Sequence, residues 1–260
     1  MIAETGVGMP LAGASVQETA NPWQWLSEAF GVYRRQWKAS LVYGAVFVAI
    51  GYGIALMLAG AGLIAAMPVA VGAFALAGPL MAAGLYAIAR ADEEGRTASL
   101  GEVFMPRAAS GEQIAYLGVI ILVAMFFWTI VAIGLFVIFL GGEVSTWSEY
   151  VSFALSTPRG VSMLSLGTVL GGLIASMIFA VTAFSIPMLM DRECDFATAI
   201  GLSLQAVLSR PKEMFLWAWI IVVSVAIGAA TMLIGFVLLF PLLGFATWRG
   251  YRSVFPGPSS

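Results

Sequence analysis

The sequence predicts an all-α, polytopic membrane bundle of six transmembrane helices, built as three units of one interfacial helix followed by a helix pair. Three observations carry this. Hydrophobic residues make up 61% of the 260 and charged residues 10%, whereas a soluble globular domain carries about 25% charged residues. The charges are confined as well: none falls in 39–89, 113–142, 160–190 or 214–248. A hydrocarbon core about 30 Å thick needs roughly 20 apolar residues per helix, and each run reaches that length. Barrel strands would instead read as segments of about 10 residues with alternating polarity, which these runs lack.

Residues 1–20 hold Glu4 and Glu18, no basic residue and no apolar core long enough for a signal peptide. They read as a disordered cytoplasmic tail. A single membrane domain is expected over 21–253 and a flexible tail over 254–260. One cysteine cannot close an internal disulfide, so it fixes no redox compartment. The net charge of −2 gives no footprint for nucleic acid.

The first interfacial helix is expected near 21–38, where Asn21 can cap and Pro22 suits the first helical position. Trp23, Leu26, Phe30, Tyr33 and Trp37 make an apolar stripe, and Arg34, Arg35 and Lys38 gather at its end. That combination suits a helix lying in the headgroup plane, with anionic lipid at Arg34, Arg35 and Lys38 as its partner. The run 39–89 is too long for one helix and suits two spans, 41–60 and 68–89, with breakers between Gly60 and Pro68. A second interfacial helix is expected near 99–106, where Ser99 and Glu102 have capping-box spacing. Single spans follow at 115–140 and 164–190. The loop between them carries Glu143, Trp147, Glu149, Tyr150 and Phe153, read as an interfacial aromatic belt.

The third interfacial helix is expected near 195–209, after the acidic stretch Asp191-Arg192-Glu193-Cys194-Asp195. Asp195 is placed to cap it, and Asp191, Arg192 and Glu193 read as solvated charges marking a span end. One thiol among hard carboxylates, in a chain without histidine, is a poor metal set. Reversible acylation of Cys194 is the lesser reading. The last run is ambiguous: one helix of about 35 residues would rise roughly 52 Å, while two would be short. Six spans put all twelve Lys and Arg except Arg159 on one side, in line with the positive-inside rule, with both termini cytoplasmic. Each helix pair also carries a proline near its exit: Pro79, Pro187 and Pro241.

No Walker loop, GxGxxG fingerprint or GxSxG elbow is present, and the spans hold no ionisable residue of the kind that marks proton relays. Hydroxyls in the spans (Thr129, Thr168, Ser176, Thr182, Ser185, Ser224 and Thr231) are candidates for a polar cavity, or for bonding to their own backbone. The GxxxG segment Gly167–Gly171 suits close helix packing.

At FSIPMLMDRECDFATAIGLSLQAVLSRPKEMFLWAWIIVV and PLLGFATWRGYRSV the sequence resembles a family of bacterial, largely proteobacterial, predicted integral membrane proteins. That family is catalogued as a domain of unknown function, and some members are labelled cytochrome c oxidase subunit I-like. The likeness is strongest from Ser185 onward. Members commonly read GHATWHAYR near the end; the two histidine positions are taken here as Phe245 and Gly250, so an oxidase-like haem or metal role finds no ligand. The resemblance implies a multi-pass protein of the bacterial inner membrane. With no catalytic, cofactor or metal residue assigned, the expectation is a non-enzymatic accessory or scaffold protein. The alternative is a carrier for an apolar or zwitterionic small molecule or lipid.

Overall fold

A computed structural model describes residues 21–63, 66–141 and 146–256. The expected tail at 1–20, Glu143 of the aromatic loop and residues 257–260 lie outside them. The described residues form twelve helices: α1 (Pro22–Arg35), α2 (Trp37–Gly60), α3 (Met67–Met81), α4 (Ala83–Glu93), α5 (Leu100–Phe104), α6 (Gly111–Leu140), α7 (Trp147–Ser156), α8 (Pro158–Thr182), α9 (Ser185–Asp191), α10 (Phe196–Ser209), α11 (Pro211–Ala230) and α12 (Phe236–Val254).

The starts follow local chemistry. Asn21 accepts from the Trp23 backbone N–H at 3.1 Å, with Pro22 in the first turn. Ser99 and Glu102 form the reciprocal capping box of α5, and Thr146 with Glu149 forms a second at α7. The loop read as an aromatic belt therefore contains a helix. Its Tyr150 is buried rather than interfacial, stacked on Phe136 with ring centroids 5.5 Å apart.

Five helical segments are long and apolar enough to cross a membrane: Trp37–Gly60, Met67–Glu93, Gly111–Leu140, Pro158–Asp191 and Pro211–Ala230. The second is α3 plus α4, broken at Ala82 three residues after Pro79. The fourth is α8 plus α9, broken at Ala183–Phe184 just before Pro187. Proline lacks the N–H that an unbroken helix needs. The ambiguous last run is two helices, not one. α12 falls short of the five because Arg249 and Arg252 occupy its last two turns. The turn joining it to α11 does not reach the level of Gly60. Leu233 packs against Gly51, and the Tyr52 hydroxyl donates to the Met232 carbonyl, positions about two-thirds of the way along α2.

The faint sequence repeat becomes a spatial one. Each unit has an amphipathic helix (α1, α5, α10), an unbroken span (α2, α6, α11) and a proline-bearing partner (α3–α4, α8–α9, α12). Each amphipathic helix packs on both spans of the unit before it: α5 on α2 and α4, α10 on α6, α8 and α9, and α1, closing the circle, on α11 and α12. At one end of the bundle α4, α9 and α12 touch one another, burying Leu85, Ile88, Ile186, Leu189, Phe245 and Trp248. Two of the three outer seams follow suit, α2 on α12 and α6 on α3. The third is missing: α8 packs mainly on α6, α7 and α10, to a lesser extent on α3 and α9, and makes no such seam with α11. Leu135, Leu140, Tyr150, Ala154 and Met163 form a separate cluster that fastens α8 and α7 to α6 instead.

Candidate functional site

Two features stand out, a charged layer at one end of the bundle and an apolar groove toward the other.

The layer joins all three units. Arg35 of α1 grips Asp92 through Nε at 2.9 Å and Nη2 at 2.7 Å. Arg249 lies 3.7 Å from Asp92 and 3.2 Å from Glu93. Arg252 spans Glu93 at 3.1 Å and Asp191 at 3.0 Å. Tyr251 donates its hydroxyl to Asp191 at 2.7 Å, and the Trp248 indole N–H donates to Glu93 at 3.0 Å. The Asp92 side chain is only 4% exposed. Each carboxylate here is already held by at least one guanidinium, which suits a lock rather than a general base.

This revises the acidic stretch at 191–195. Asp191 is not a solvated charge; it is part of the layer, because α9 is buried along its length and ends beside α12. Arg192 donates to the carbonyls of Phe255 and Pro256 at 2.6 and 3.0 Å, so the start of the expected flexible tail is pinned. Glu193 is exposed. Asp195 caps α10 as its position predicts, accepting from the Thr198 N–H at 2.9 Å. The Thr198 hydroxyl and N–H hold its carboxyl below the usual range. Burial pushes the Cys194 thiol up, and the Asp195 charge adds to that. Among the described residues no three His, Cys, Asp or Glu are grouped to hold a metal.

α1 has two faces. The predicted stripe splits: Trp23, Phe30 and Trp37 are 60%, 57% and 51% exposed, while Leu26 and Tyr33 are half-buried. The face turned to the bundle is a different one, Trp25, Ala29 and Val32. Trp25 sits edge-on to Phe184 and Trp217, at 6.5 and 5.7 Å. A buried set at this spacing is legible, but the larger aromatics on the outer face masked it. Arg34 and Lys38 are exposed beside those aromatics, whereas Arg35 is committed to Asp92.

The groove, about 360 Å³, has α6 as its floor and α3 and α8 as its walls, with Tyr150 of α7 at one end. Trp128 rises from the floor and donates its indole N–H to the Val69 carbonyl at 3.0 Å. A Cβ at Gly72 or Gly171 would come 2.5 or 2.8 Å from that ring, so glycine on both walls admits it. The lining is apolar apart from Thr168 and Tyr150. Of the seven hydroxyls named as cavity candidates, six donate to the backbone carbonyl four residues earlier, Thr129, Ser176, Thr182, Ser185, Ser224 and Thr231. Thr168 alone makes no hydrogen bond, and it lines the groove.

Taken together, apolar spans around a locked end define an all-helical, multi-pass integral membrane protein that sits in a lipid bilayer. Residues 66–191 match a protein family described as "Predicted integral membrane protein (DUF2189)", a domain of unknown function. The match takes in α3 through α9 and stops at Asp191, before most of the C-terminal stretch on which the sequence resemblance is strongest. Counted residue by residue, GHATWHAYR also puts its second histidine at Arg249 rather than Gly250, which makes that position part of the charged layer. No curated protein matches the chain, and no solved structure does.

Proposed function

We propose that the protein is a non-enzymatic accessory or scaffold protein of the bacterial inner membrane that receives a transmembrane helix of a partner. One observation carries this: two of the three equivalent seams are closed by the chain's own helices, and the third, between α8 and α11, is open. Val169 and Leu173 of α8 and Trp219 and Val222 of α11 are exposed. Helices in lipid associate through packing rather than a hydrophobic drive, so an unfilled seam has room for a foreign helix. The basic side of the molecule faces the cytoplasm in this reading, with both termini there and α11 and α12 entering and leaving as the last pair. The outer face of α1 and the first residues of α2 rest on the anionic leaflet, through Trp23, Phe30 and Arg34 of α1 and Trp37 and Lys38 of α2. Arg35, expected in that contact, is held by Asp92 instead.

The test places a photo-crosslinking amino acid at Val169 or Val222 in cells, with Phe126 on the far side of α6 as control. One membrane protein captured at both seam positions and not at Phe126, and co-purifying in constant ratio in mild detergent, is the expected result. A chain that runs alone and crosslinks only to lipid at all three positions rejects the scaffold reading.

A further inference from the structure

We propose that the groove between α3, α6 and α8 is a binding site for a single hydrocarbon chain of a membrane lipid. The inference is independent of the partner helix, because it concerns the hollow behind α8 rather than the seam beside it. The walls and floor belong to three segments apolar enough to span the membrane, so the medium at the opening is hydrocarbon. Water finds little to hold it there: a water needs two to four polar partners, the Trp128 N–H is already taken, and Thr168 and Tyr150 are the other polar side chains of the lining.

Size selects the occupant. The wall on α8 runs from Met163 to Ala175, roughly 18 Å at 1.5 Å per residue. A helix of that length and about 10 Å diameter displaces on the order of 1,400 Å³, several times the 360 Å³ present. At about 30 Å³ per small group, comparable to water's share of liquid volume, the groove holds roughly a dozen methylenes in file. Its rim is small on both walls, Ala75 on α3 and Thr168, Gly172 and Ala175 on α8, and those rim positions are exposed. Because these rim positions are exposed on helices that span the hydrocarbon, a chain reaches the groove laterally without leaving the bilayer. An empty slot here would forfeit the dispersion contacts of its lining; a chain restores them.

The probe is phosphatidylcholine carrying a photoactivatable diazirine on its acyl chain, in proteoliposomes of the full-length protein. Adducts, assigned to single residues by fragmentation, are expected to concentrate on Trp128 and on Thr168–Ala175, over the exposed outer face of α6 at Phe126 and Phe127. Gly172→Leu fills the groove where a Cβ meets nothing within 4 Å, and should cut labelling there at least about fivefold, a loss near 1 kcal/mol in occupancy, while Phe126 labelling stays constant. Ala75→Leu fills it from the opposite wall and serves if Gly172→Leu does not remain monodisperse. Adducts spread evenly over the exposed faces of α6 and α8, or groove labelling unchanged in a folded filled variant, would overturn the proposal.

Discussion

Arg35 and Asp92, 57 positions apart in the chain, are joined by two parallel hydrogen bonds, which tie the amphipathic helix α1 to the end of the first helix pair. Asp92 is nearly buried while Arg35 is 59% exposed, and Arg249 leans on the same carboxylate. Asp92→Asn leaves two guanidinium groups short of a partner. Breaking a buried pair costs roughly 3–5 kcal/mol and an exposed one under about 1, so about 2 kcal/mol is expected. Thermal unfolding in detergent should show a clear drop for Asp92→Asn. Glu94→Gln, which removes one partner of an exposed Arg96 pair, should leave it unchanged.

Asp195 gives the cap of α10 a pH dependence with a definite sign. Its folded-state carboxyl is held low by Thr198, so the capping contribution is complete above the unfolded value near 3.9. It is lost as pH falls through the lower folded value. Amide protection in the first turn of α10, measured as exchange relative to the intrinsic rate at each pH, should fall only in acid for the native chain. For Asp195→Ala it should be low at every pH, and for Asp195→Asn it should be high and not fall in acid. Equal protection in Asp195→Ala would mean packing, rather than the cap, holds that turn.

Cys194 should be a sluggish nucleophile. Thiol reactivity follows the thiolate, and burial with the neighbouring Asp195 charge raises its pKa. Maleimide labelling near neutral pH is expected to be slower than that of a free thiol and to climb steadily in alkali. Asp195→Asn should speed it. Rapid labelling at neutral pH would reopen Cys194 as an acylation site.

The helices and their caps were legible because their signals are local: Asn21-Pro22, the Ser99–Glu102 spacing, Asp195 ahead of an apolar period. The three-unit order was also visible, through amphipathic segments and the prolines Pro79, Pro187 and Pro241. The charged layer was not, although Asp92-Glu93 and Arg249/Arg252 stand in plain view at segment ends. Arg252 meets Glu93 across 159 positions, and no periodicity links such residues. The groove was invisible for a related reason. Gly171 reads as half of a GxxxG packing segment and Gly72 as an ordinary small residue until Trp128, from a third helix, rises between them.

The seam between α2 and α12 depends on a missing side chain. A Cβ at Gly44 would lie 2.2 Å from the Val237 carbonyl oxygen, and backbone cannot step aside as a flexible side chain does. Gly44→Ala should therefore part the two helices and cost about 1–3 kcal/mol, the usual penalty of overpacking. Gly53, on the same helix with nothing within 4 Å of its Cβ position, should accept alanine with no loss, or a gain of up to about 1 kcal/mol from helix propensity. Equal stability of the two variants would show that α12 is free to shift along α2.

How deep α12 reaches is the remaining structural expectation. Its 19 residues rise about 28 Å, but Arg249 and Arg252 are bound to Glu93 and Asp191, which end two of the membrane-crossing segments. Its apolar part therefore starts at their level and turns back beside Gly51 and Tyr52, short of the end of α2. The polar backbone of that turn is covered from within. Tyr52 donates to the Met232 carbonyl, and the Thr231 hydroxyl accepts from the Gly235 N–H at 3.0 Å and reaches the Gly228 carbonyl at 3.0 Å. Unsatisfied backbone in lipid is costly, so such cover is what a submerged turn requires. In a Cys194→Ser background, Ile234→Cys should react with a membrane-permeant maleimide and hardly at all with a charged one from either side. Pro256→Cys should react with the charged reagent from the basic side alone. Fast reaction of Ile234→Cys with the charged reagent from the opposite side would make α12 a complete sixth span.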